Sequence, residues 1–99
     1  MADVPEELLE AARNYLDITW PDPDGDRKLK GILARGMAYL THAAGAPLAF
    51  GSETAAQALL FDYARYARAG ALQNFGTDFA SELLGLHIAG EVEQYDGVQ

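Results

Sequence analysis

Residues 26–44 read DRKLKGILARGMAYLTHAA, and their spacing decides the fold class. Leu29, Ile32, Leu33, Gly36, Leu40 and Ala43 recur every three or four residues, the interval that gathers side chains on one face of an α-helix. Gly31 and Gly36 each weaken that helix by up to about 1 kcal/mol relative to Ala. Gly36 lies on the apolar stripe, where a missing side chain permits close helix packing. Asp24 or Asp26 is placed to cap the first amides, and Gly45 stands where a left-handed cap is expected.

The flanking segments repeat the pattern. Upstream, Pro5, Glu6 and Glu7 suit a first helical turn, and Leu8, Leu9, Ala12, Tyr15 and Leu16 follow at helical spacing. Between them, residues 17–26 (DITWPDPDGD) form a turn of prolines, glycine and aspartates. Downstream of the connector APLAFG (46–51), Ser52 or Thr54 can cap a third helix, and Thr54–x–x–Gln57 matches the reciprocal capping box. Ala55, Leu59, Leu60, Tyr63, Ala64 and Ala67 mark one side of that helix, which ends near Gly70. Phe75, Phe79, Leu83 and Leu86, with Val92 beyond, mark a fourth, interrupted by Gly76 and Gly85. Asp96–Gln99 reads as a tail, and no useful strand-like alternation appears. The expectation is one all-α, four-helix bundle-like domain over residues 1–99, with helices at about 5–16, 26–44, 54–69 and 74–92.

The chain has 99 residues, 49% of them hydrophobic, enough for one core and not for two. Such a domain holds on the order of 5 kcal/mol of stability, so association is a natural supplement. There is no cysteine, which removes disulfides, thiolate zinc sites and a Cys nucleophile. The start MADVPEELLE lacks the basic and apolar regions of a signal peptide, and no apolar run approaches a membrane span. Fifteen acidic residues against seven basic give a net charge of −8, which argues against gripping nucleic-acid phosphates. The densest basic cluster, Arg27–Lys28–x–Lys30, reads as a solvated helix face.

Candidate chemistry fails position by position. Asp22, Asp24 and Asp26 alternate like the start of a calcium-binding EF-hand loop, but Arg27 stands where that loop needs Gly and Leu33 where it needs Glu. The stretch reads as a capping turn. His42 and His87 sit on different helices outside any metal-binding spacing. Ser81 lacks a nucleophile elbow, and the glycines do not form a phosphate cradle. Glu6/Glu7 and Glu91/Glu93 read as helix-end complements. The chain is therefore expected to be no enzyme and to hold no metal or cofactor.

The aromatic residues say more. Phe61 and Tyr63 stand about 200° apart around their helix, so Phe61, Tyr63 and Tyr66 cannot all face one core. Trp20 lies in the first turn, and Leu48 and Phe50 lie in a connector, where they either plug the bundle or meet a neighbour. Trp20, Leu48, Phe50, Phe61, Tyr66 and the C-terminal Tyr95 are the expected protein-interface residues.

Over about residues 8–92 the order of features resembles the small head–tail connector (head-completion, adaptor) proteins of tailed bacteriophages. The similar pieces are Leu9 with Tyr15–Leu16–Asp17–Ile18, the acidic turn, Leu29–x–x–Ile32–Leu33, Thr41–x–x–x–Gly45, the stretch AQALLFDYARY (56–66), Asn74–Phe75, and Phe79–x–x–Glu82–Leu83–x–x–Leu86. Asp17 stands near a common Arg, and the WPDPDGD turn is longer and richer in proline than the family's. The resemblance implies a homo-oligomeric ring of about twelve or thirteen subunits beneath the portal, facing a tail or stopper protein on its other side. It implies a virion protein made in the host cytoplasm, with DNA passing through its channel without specific binding. It also implies that residues 91–99 order against the portal. The competing expectation is a small acidic helical adaptor or regulatory protein that binds pairwise. A DNA-binding repressor is disfavoured, because Glu53, Asp62, Asp78 and Glu82 fall on the elements that would read DNA.

Overall fold

The computed structural model describes residues 4–20, 22–51 and 54–98, and side chains as far as residue 89. The domain is all-α, with no strand among the described residues. α1 (Glu6–Tyr15) starts at Pro5, whose carbonyl accepts from the amides of Leu8 and Leu9 at 3.1 Å. It leaves through Asp17, at φ 59. The Ile18 amide donates to the Arg13 carbonyl at 2.9 Å and the Asp17 amide to that of Asn14 at 3.2 Å. This is a Schellman exit with aspartate where glycine is usual.

α2 (Pro23–Ala44) begins three residues before the expected Asp26. The fixed φ of Pro23 fits the first helical position, and Asp24 and Asp26 fall in the first turn near the positive helix end. The capping position belongs to Asp22, and neither Asp24 nor Asp26 fills it. The Asp22 side chain folds over the turn at Gly25, where an added Cβ would lie 2.6 Å from its Oδ2. At the other end Gly45 adopts φ 70 and closes α2, as its position predicts.

α3 (Ala55–Arg68) is capped by Thr54, whose hydroxyl accepts from the Gln57 amide at 3.1 Å. Only half of the expected box forms. The Gln57 side-chain amide donates to the Phe50 carbonyl at 2.9 Å and so ties down the connector. Ser52 lies outside the described residues.

The expected fourth helix is broken. A 3₁₀ turn (Leu72–Asn74) leads into α4 (Phe75–Asp78), and α5 (Ala80–Val98) follows after Phe79. Gly76, Thr77 and Asp78 are weak helix formers, and a break at Phe79 lets its ring stack on Phe75, centroids 4.8 Å apart. α5 also runs past residue 92 to Val98, so the expected tail is helical as far as that residue.

α2 lies across the middle and packs along both α3 and α5, with α1 against it. Leu33, Leu40, Leu60 and Phe75 are fully buried between these helices. The stripe glycine Gly36 is buried too. A Cβ there would meet Leu60 Cδ1 at 2.7 Å and Tyr63 Cδ1 at 2.8 Å, so its absence sets the α2–α3 spacing.

Candidate assembly surfaces

The structure separates the expected interface residues into three groups. Phe50 and Phe61 are interior, at 8% and 6% exposure, and Leu48 packs partly buried against the same core. The connector thus plugs the bundle, with Thr54 Oγ1 also donating to the Ala49 carbonyl at 2.9 Å. Phe61 and Tyr63 do point apart, but both directions are internal. Phe61 meets the Tyr15 ring of α1 at 5.5 Å, whereas Tyr63 meets Tyr39 at 5.6 Å and Phe75 at 5.5 Å. The second surface of α3 is covered by α1, which corrects the expectation that Phe61 and Phe50 are available to a neighbour. Serine at Phe50 would therefore perturb folding before it perturbed assembly.

Tyr66 is half-buried and engaged. Its ring stands edge-on to Phe75 and Phe79, at 5.6 and 5.5 Å, and the Arg65 guanidinium lies 5.2 Å from its centroid. Tyr95 falls in the last part of α5, whose side chains lie outside the described residues. Trp20 remains outward, at 55% exposure. Arg13 holds its backbone by donating from Nη2 to the Trp20 carbonyl at 3.0 Å, while Arg13 Nε faces Asp26 Oδ1 at 3.5 Å.

Besides Trp20, the most exposed large apolar side chains among the described residues are on α5. Leu84 and Ile88 are 58% and 52% exposed, one helical turn apart on α5. Their signal was present in the Leu83–Leu84 doublet. Leu83 continues the buried stripe, which leaves Leu84 and its partner four residues on with an opposite face. Between α3 and α5 runs an apolar groove of about 420 Å³. Ala58, Leu59, Phe79 and Leu86 line it, and Asp62 and Glu82 stand at the same groove.

Two phenols hydrogen-bond to carboxylates. Tyr15 donates to Asp62 Oδ1 at 2.8 Å, and Arg65 Nη2 donates to the same oxygen at 3.2 Å. Tyr66 donates to Asp78 Oδ2 at 2.6 Å. In each case the hydrogen bond to the carboxylate holds the phenol pKa above its ordinary value of 10.0, with desolvation adding to it. The Asp62 bond likewise raises Arg65, keeping it charged. A phenol raised in the folded state stabilises fully below pH 10, and that contribution is lost as pH rises through the raised value. Asp78→Asn is therefore expected to move Tyr66 ionisation to lower pH in a 295 nm titration of the folded protein. An unchanged titration curve would contradict the bond.

The aspartates of residues 22–26 do not converge. From Pro23 on, the backbone is helical, Asp24 pairs with Arg27 at 3.3 Å, and Asp26 faces Arg13. Among the described residues no group of three or more His, Asp or Glu is placed to hold a metal ion. His42 is exposed on α2, and His87 lies near Gly45. No helix among the described residues is long and apolar enough to cross a membrane. Compared with protein-family models, curated proteins and solved structures, the chain matches none.

Proposed function

We propose that the chain is a structural subunit of a tailed-bacteriophage head–tail connector. It assembles as a ring beneath the portal, extends the DNA channel and joins head to tail. The observation that carries its assembly role is the apolar surface left over once the core is closed. Trp20, Leu84 and Ile88 stand more than half exposed although the helices already enclose a continuous interior. Leu84 and Ile88, one turn apart on α5, make an exposed apolar pair, and such surface favours burial against a partner. The family is read from the resemblance over residues 8–92, and the net charge of −8 suits a channel that DNA slides through without sticking.

The test is mass photometry and negative-stain microscopy of the chain mixed with the portal protein of the same genome. Rings of about twelve or thirteen subunits on the portal are expected. The triple variant Trp20→Ser, Leu84→Ser, Ile88→Ser should lose them while keeping a helical circular-dichroism spectrum. A chain that stays monomeric or dimeric with portal present sinks the ring and favours a pairwise adaptor.

A further inference from the structure

We infer that successive copies join head to tail, the basic back of α2 in one copy seating in the α3–α5 groove of the next. This rests on the ring reading and names one contact of the ring, apart from Trp20, Leu84 and Ile88.

Two surfaces carry the inference. On α2, Leu29, Leu33, Gly36 and Leu40 face the core. At about 100° per residue, Arg27, Lys28, Gly31 and Arg35 fall on the opposite side of the helix. Arg27, Lys28 and Arg35 are exposed, and Ile32 adds an apolar flank. Arg27 pairs with Asp24, but Lys28 and Arg35 have no ion-pair partner among the described residues. The chain has seven basic residues in all, so three of them on one helix face is a strong local departure from its net charge of −8.

The α3–α5 groove is the complement. Its floor is apolar and partly built of small residues such as Ala58, which lets a helix approach closely, and Glu82 supplies the negative charge, Asp62 being already paired with Arg65. Charge complementarity of this kind selects the partner and sets the register.

The two surfaces share no residue and belong to different helices. Because α2 turns its other side to α3 and α5, no copy can fill its own groove with its own basic face. Two copies related by a two-fold axis do not require this pairing, whereas a head-to-tail contact repeats and closes into a ring when its rotation allows.

The absence of native cysteine makes the contact directly readable. Gly31→Cys places a thiol on the back of α2, and Ala58→Cys places one in the groove, with every charge kept. Mixed and mildly oxidised at high concentration, the two single variants are expected to form a disulfide-linked pair, while neither links to itself. The double variant should give a ladder of multimers. Adding Lys28→Glu and Arg35→Glu to the Gly31→Cys chain should slow linkage roughly tenfold. Glu82→Lys in the Ala58→Cys chain should restore it. Circular dichroism on each variant confirms that the fold is kept.

Self-linking of either single variant at the rate of the mixture overturns the contact, as does an absence of linkage or a failure of Glu82→Lys to restore it. The ring reading is scored apart. Rings on the portal without a disulfide ladder leave that reading standing and remove this contact. A ladder without rings does the reverse.

Discussion

Phe75→Ala is expected to lower stability by about 3–5 kcal/mol, the usual cost of deleting a buried phenyl ring. Phe75 is 1% exposed and lies within 6 Å, centroid to centroid, of Tyr39, Tyr63, Tyr66 and Phe79. These rings are tied to two helices, α2 and α3, and to the Phe79 break, which limits how far they can collapse into the space. A domain of this length holds only on the order of 5 kcal/mol, so the variant should sit near its unfolding midpoint at room temperature. Urea titration followed by circular dichroism measures the loss, and Phe75→Leu should recover part of it. A loss below about 1 kcal/mol would mean that the ring is not the keystone of this cluster.

Gly36 offers a second large effect, opposite in kind. Alanine there would gain up to about 1 kcal/mol of helix propensity. Against that gain, its Cβ would press on Leu60 and Tyr63 at distances below 3 Å, and both side chains are buried. Overpacking of this sort costs about 1–3 kcal/mol, so Gly36→Ala should be destabilising on balance and Gly36→Val more so. Thermal melts will show the direction. The double variant Gly36→Ala, Leu60→Ala should lose less than the sum of the single variants, since each relieves the other's misfit. A more stable Gly36→Ala would contradict the close approach.

How much of this was legible in the sequence differs by element. The stripe from Leu29 to Leu40 announced α2 and its buried glycine, because period and composition report directly which face a helix hides. The start of α2 lies earlier than the sequence suggests, because proline and glycine read as a turn although Pro23 suits the first position of a helix. The break at Phe79 was invisible, since the spacing from Phe75 through Phe79 to Leu83 is itself helical and the kink follows from ring stacking between elements. The surfaces were the least legible. Phe61 reads as surplus when one helix is weighed against one core, and nothing local reveals that α1 covers its other side. Leu84 and Ile88 are hard to pick out because the partly buried Leu83–Leu86 stripe dominates the pattern of the same helix.

That placement of α3 has a consequence for how the domain comes apart. Its Phe61 side is walled by Tyr15 of α1, and its Tyr63 side by Tyr39 of α2 and by Phe75. A helix that serves as the shared wall of two clusters cannot leave one without opening the other. Loss of α3 therefore opens both sides of the core at once, which couples their unfolding.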